Sequence, residues 1–133
     1  MRVDKDKTKQ SLADAYMSAS PAIFFCWGAQ ADWPVDYVSG NVDLLGYSVE
    51  EFVEGRTKFA DIIHPDDLDR VMREVRLYTE RQHRSFTQSY RLLSRAGDVR
   101  WIDDRTVVER DVDGKALRYL GIITDITKEK VTE

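Results

Sequence analysis

The stretch SFTQSYRLLSRAGDVRWIDDRTVVERDVDGKALRYLGIITDI (85–126) decides the fold. It holds three β-rich runs, Ser85 to Ser94, Val99 to Arg110 and Lys115 to Ile126, separated by two short breaks. The breaks are Arg95-Ala96-Gly97-Asp98 and Asp113-Gly114. Asp-Gly between β-rich runs is a strong hairpin signal, because tight hairpin turns need positive φ, which these residues tolerate. The last third of the chain is therefore read as a three-strand antiparallel meander.

Upstream, Ala22 to Gly28 (AIFFCWG) is a short apolar, aromatic-rich run that reads as a buried strand. Val35 to Ser39 alternates like a second strand, and the two should pair as a hairpin. Helical signals fill the gap before residue 85. Asn41 is read as the cap of a short helix holding Val42, Leu44 and Leu45, with Gly46 ending it in the left-handed conformation. Ser48-Val49-Glu50-Glu51 is a capping box, and Tyr47 with Phe52 can form its hydrophobic staple.

The longest helix starts at His64-Pro65-Asp66-Asp67, proline suiting the first position and the aspartates the positive end of the dipole. Leu68, Val71, Met72, Val75 and Tyr78 form its apolar face, and Leu77 lies opposite. An amphipathic helix is expected over residues 7 to 19, with Leu12, Ala15, Tyr16 and Ala19 as a narrow stripe ended by Ser20-Pro21. The order is helix, two strands, several helices, three strands. It predicts an α+β fold with a five-stranded antiparallel sheet and its helices on one face.

The totals narrow the function. A chain of 133 residues fits one domain. With 42% hydrophobic and 33% charged residues it is too apolar for disorder and too charged for a membrane protein. No apolar run is long enough to span a bilayer, and MRVDKDKTKQ at the start is not a secretory signal. Cys26 is the only cysteine, so there is no internal disulfide and no cysteine-built zinc site. A cytoplasmic location is expected. The net charge of −4 argues against nucleic acid as partner. Acids dominate from Glu50 to Asp69 and arginines from Arg70 to Arg100, a pattern read as solvated faces of a helix and two strands.

Four stretches in order, YVSGNVDLLGY (37–47), FADIIHPDDLDRV (59–71), SYRLLSRAGDVRW (89–101) and LGIITDIT (120–127), give a chain that resembles the PAS domain family over about residues 20 to 127. The resemblance implies a PAS fold, with strand order 2-1-5-4-3, short helices and one longer helix. It divides the chain into a flanking helix (1–19), a PAS domain (20–127) and the start of a linker to an output domain (128–133). It implies a sensory and dimerisation module of a larger signalling protein, of the histidine kinase or diguanylate cyclase kind. The expected homodimer uses the N-terminal helix and the outer sheet face.

The residues that carry chemistry in that family have few counterparts here. Its flavin-binding members use a cysteine near the long helix; here EGRTKFADIIHPDD (54–67) has none, which excludes flavin-thiol photochemistry. Cys26 lies on the first strand instead and reads as a small core residue. Haem is disfavoured: His64 is explained by capping, and His83 sits among Arg81 and Arg84 at a helix end rather than on an apolar wall. Asp66, Asp67 and Asp69 lack the glycine and distal glutamate of a calcium loop. Asp103 and Asp104 point to opposite faces of a strand and cannot act as an acid–base pair.

What remains is a core cavity for an unidentified small molecule, with Phe24, Cys26, Leu44, Leu45, Phe59, Ile63, Val75, Tyr78, Phe86, Tyr90 and Ile122 as candidate lining. The competing reading makes these residues simply the packed core. Arg56, Tyr90 or Arg91 can orient an anion there. A pairing of Arg91 with Asp125 is the preferred role for both, placing Arg91, Asp125, Ile126 and Thr127 at the signal exit.

Two other functions stay open. One is a purely structural dimerisation domain without ligand. The other is a small α+β enzyme, which needs a carboxylate or histidine on the inner face of the sheet, where the residues named above are aromatic or aliphatic. A buried Asp103 facing the cavity would favour it.

Overall fold

The computed structural model describes residues 21–131 and, upstream of them, residues 12, 15 and 16. The helix expected over 7–19 otherwise lies outside the described residues. The elements are β1 (Ile23–Gly28), β2 (Val35–Val38), a 3₁₀ helix (Gly40–Leu45), α1 (Val49–Val53), α2 (Phe59–Ile62), α3 (Pro65–Glu80), β3 (Ser85–Leu93), β4 (Val99–Arg110), β5 (Ala116–Asp125) and α4 (Thr127–Val131).

The five strands form one antiparallel sheet in the order β2-β1-β5-β4-β3. Both hairpins of the meander form where the turn residues predict them, with Gly97 and Gly114 at positive φ. The single long crossover from β2 to β3 carries the 3₁₀ helix and α1 to α3. β1 and β5 pair at the centre of the sheet, with Trp27 opposite Tyr119.

Strand alternation puts Ile23, Phe25 and Trp27 of β1 on the buried face, with Phe86, Tyr90 and Leu92 of β3, Ile102 and Val108 of β4, and Tyr119 and Ile123 of β5. Phe52 of α1, Phe59 and Ile62 of α2, and Val71 and Val75 of α3 close over them. Phe25 sits at the centre of an aromatic cluster, stacked on Trp27 with ring centroids 5.2 Å apart and meeting Phe52 and Phe59 edge-on. Such pairs add about 0.5–1.5 kcal/mol each beyond burial.

The helical punctuation is largely as the sequence dictates. Ser48 and Glu51 form the reciprocal capping box, and the rings of Tyr47 and Phe52 lie 5.6 Å apart. His64 caps α3, its Nδ1 accepting from the Asp66 N–H at 3.1 Å. Gly46 has φ 85°, and a Cβ there would meet Arg95 Cβ at 2.9 Å.

Three details differ. Asn41 is no helix cap: Ser39 precedes a 3₁₀ turn, and buried Asn41 donates to the Ala22 carbonyl while sharing a hydrogen bond with Ser39. Asp67 does more than compensate a dipole, as described below. Met72 is 45% exposed, lying at the edge of the apolar face of α3 rather than on it.

Candidate functional site

Helix α3 lies over the inner face of β3, β4 and β5 and leaves a cavity of about 20 Å³ beneath it. Its walls are Trp27, Trp33, Phe59, Val71, Val75, Phe86, Gln88, Tyr90, Asp104, Thr106 and Tyr119. A water needs about 10–15 Å³ of such space, so the cavity admits on the order of one or two heavy atoms. It is closed down by aromatic packing. Gly121 is what allows this: the Trp27 indole lies across it, and a Cβ there would stand 2.4 Å from Trp27 Cζ3.

Four of the expected lining residues, Phe59, Val75, Phe86 and Tyr90, come together in this cavity. Tyr78 lies beside it, stacked on Phe86 at 5.0 Å. Leu45 and Ile63 are buried in the core but do not line it. Phe24, Cys26 and Ile122 lie on the other face of the sheet, because β1 buries 23, 25 and 27 inward and Ile122 opposes Phe24 in the β1–β5 register. Leu44 is 68% exposed, since the tight 3₁₀ turn directs Val42 and Leu45 inward instead.

The inner face is not wholly apolar, contrary to expectation. Asp104, Thr106 and Gln88 point into the core and are buried. Tyr90 donates to Asp104 Oδ2 at 2.6 Å, and Thr106 donates to Oδ1 at 2.8 Å. Gln88 Nε2 donates to Glu74 Oε1 at 3.0 Å and to the Val71 carbonyl at 3.3 Å. The parity of Ile102 and Val108 on one strand carries this signal, placing Asp104 and Thr106 on the same side as both. Buried Trp27 Nε1 has no hydrogen-bond partner.

Burial pushes the Asp104 carboxyl up from 3.8 to about 6, against the lowering effect of the two hydroxyl donors. The folded chain thus takes up a proton between pH 7 and 5 that the unfolded chain does not bind. Stability should therefore rise as pH falls, by about 1.5 kcal/mol at pH 5. Glu51 acts in the opposite sense and in a lower window. The Ser48 N–H, Thr57 and Arg95 hold it at about 2, so its contribution is lost only as pH falls below about 4.5. Urea unfolding across pH should show maximal stability near pH 4.5–5, and Asp104→Asn should abolish the rise from pH 7 to 5. A wild-type curve flat over that interval contradicts this assignment.

The ion pairs also differ from expectation. Arg91 does not pair with Asp125. The guanidinium and backbone N–H of Arg91 make three hydrogen bonds to Asp67, at 2.7 to 3.0 Å. The guanidinium bonds hold the Asp67 carboxyl below its ordinary range. Asp125 pairs instead with Arg100 at 2.8 Å. Burial raises the Asp125 pKa, but bonds from Thr127 and Arg100 outweigh it and keep it low. Arg56 is engaged by Glu54 on the surface. Tyr90 and Arg91 are thus both engaged within the fold, and Arg56 does not line the cavity.

The exit from the sheet is a tight clamp on Trp101. Its carbonyl accepts from the Ile126 N–H at 2.8 Å, and its N–H donates to Thr127 Oγ1 at 2.9 Å. The Arg91 guanidinium and Lys130 Nζ lie 5.3 and 5.0 Å from its ring, within the range of cation–π attraction. Asp67 at the start of α3, Arg91 on β3, Trp101 on β4 and Lys130 on α4 thus form one connected series.

Comparison with known proteins agrees with this architecture. The chain is 44% identical over 117 residues to a methyl sulfide methyltransferase-associated sensor of Methanosarcina acetivorans, covering 88% of this chain and 12% of that protein. It spans only a small part of the length of such relatives. The N-terminal domain of a Marinobacter aquaeolei diguanylate cyclase with PAS/PAC sensor superposes with a TM-score of 0.69 at 28% identity, covering 82% of this chain and 98% of that one. A sensory box histidine kinase/response regulator from Burkholderia thailandensis gives 0.68 at 28% identity, over 93% and 88%. The family model described as PAS fold matches residues 35–123, and the chain belongs to that family.

Proposed function

We propose that this chain is the sensory input and relay module of a larger signalling protein, with α4 leading into an output domain of the histidine kinase or diguanylate cyclase kind. The carrying observation is the clamp at Trp101, which ties the start of α4 to the sheet and, through Arg91 and Asp67, to the helix roofing the cavity. A change beneath α3 has a contiguous packed route to the exit, and a coupling of about 1–3 kcal/mol suffices for a relay. Relatives named as a sensor, a cyclase with sensor and a sensory kinase support the same reading. The module works as a homodimer in the cytoplasm, pairing through the segment before β1 and the outer sheet face. No helix among the described residues is long and apolar enough to cross a membrane.

Catalysis within this domain is not part of the proposal. Asp104 is an inner-face carboxylate, but a cavity of about 20 Å³ leaves no room for a substrate beyond the smallest molecules. The test uses the full-length protein with its output domain. Asp125→Ala, which breaks the Arg100 pair and the Thr127 turn, should leave basal output intact and abolish its response to stimulus. A normal response in that variant defeats the relay. The small cavity favours one second reading, a structural dimerisation domain without ligand. It predicts no thermal shift from any small molecule, whereas a ligand at a hundred times its Kd stabilises by about 2.7 kcal/mol.

A further inference from the structure

We propose that the cavity beneath α3 is a site for a small ammonium cation, ammonium itself or methylammonium, with Asp104 as counterion and the surrounding aromatic side chains as its box. The inference rests on the sensory reading and names the chemistry of its input.

Buried charges in proteins are paired or bind ions. Asp104 is 4% exposed, and no cation of the described residues contacts it. Every element packed around it contributes neutral or already paired groups. From β3 come the hydroxyl of Tyr90 and the amide of Gln88. From β4 come Thr106 and, on the reverse face, Asp103, which is engaged by Arg105. From α3, Arg70 and Glu74 neutralise one another at 3.1 Å. From β5 and β1 come the uncharged Tyr119 and Trp27. The cavity therefore carries one negative charge and no positive one.

The remaining wall suits a cation. Trp27, Trp33, Phe59, Phe86, Tyr90 and Tyr119 all line the space, and aromatic boxes beside a carboxylate attract ammonium groups out of water. The volume selects the smallest of them. A ligand of two heavy atoms binds no tighter than the millimolar range. The one wall feature that a cation leaves unsatisfied is the Trp27 N–H, which needs an acceptor. Methanol, of the same size and able both to accept and to donate, is accordingly the decisive control.

The experiment titrates the 133-residue chain with methylammonium chloride and follows the indole N–H resonances by ¹H–¹⁵N NMR at pH 7.5. Tetramethylammonium, too large to enter, matches the salt and serves as the reference titration. The expected result is a saturable shift of the Trp27 signal with a millimolar midpoint, at least tenfold weaker for methanol and absent for tetramethylammonium. Asp104→Asn should weaken methylammonium at least tenfold. Independently of that variant's folding, the wild-type midpoint should rise as pH falls below about 6, approaching tenfold per pH unit as Asp104 protonates. Binding of methanol as tight as that of methylammonium overturns the cation assignment while leaving the cavity as a ligand site. No shift with any probe overturns both, and the relay then stands or falls on the Asp125→Ala response alone.

Discussion

Asp67→Ala is expected to destabilise the fold by about 3 kcal/mol, a large effect for a single polar substitution. Asp67 is 6% exposed and accepts three hydrogen bonds from Arg91, two from the guanidinium and one from the backbone. Truncating it leaves a half-buried guanidinium and a β3 N–H without their acceptor; removing one partner of a fully buried pair costs about 3–5 kcal/mol, and solvent access to Arg91 puts this pair at the lower end. Urea unfolding measures the loss. Asp67→Asn should recover only part of it, since one amide oxygen cannot hold both prongs of the fork. A cost below about 1 kcal/mol would mean that the pair contributes little and that α3 is held to the sheet by apolar contacts alone.

The second large effect concerns Trp27 and Gly121 as a unit. Trp27→Ala should cost about 4 kcal/mol, as deletion of a buried aromatic side chain usually does. Gly121→Val alone should cost about 3 kcal/mol, because its Cβ would overlap the indole at 2.4 and 2.7 Å. The two should not add. With the indole gone, valine occupies the vacated space, so the double variant should be more stable than Trp27→Ala alone. A double-mutant cycle of denaturant midpoints reads this directly, and strict additivity would show that the two positions do not compete for one volume.

The aromatic wedge also marks the limit of what could be read from the residues. The strand order and hairpins were legible because Asp113-Gly114, Gly97 and the capping box at Ser48 act locally, each turn residue dictating its own geometry. The site was less legible. IFFCWG (23–28) is apolar at every position before its glycine, so alternation offers no parity, and nothing in the run itself tells that Phe24 and Cys26 face away from the cavity. Charge pairing is non-local as well. Arg91 has both Asp67 and Asp125 as candidate partners in sequence, and only the docking of α3 brings Asp67 beneath it. Asp104 was recoverable from its strand, since Ile102 and Val108 fix the inward parity, but a carboxylate among core positions runs against the usual composition of a core.

The pairing of β1 with β5 has a consequence for biosynthesis. The innermost neighbours in the sheet come from opposite ends of the domain, so a nascent chain emerging from the ribosome lacks a partner for Ile23–Gly28 until Ala116–Asp125 has been made. Until then the aromatic side chains of the first hairpin and the helices after it have no sheet to close against. Synthesis of this domain should thus pass through a long interval of exposed apolar surface, dependent on holding factors, and end in a late, concerted collapse.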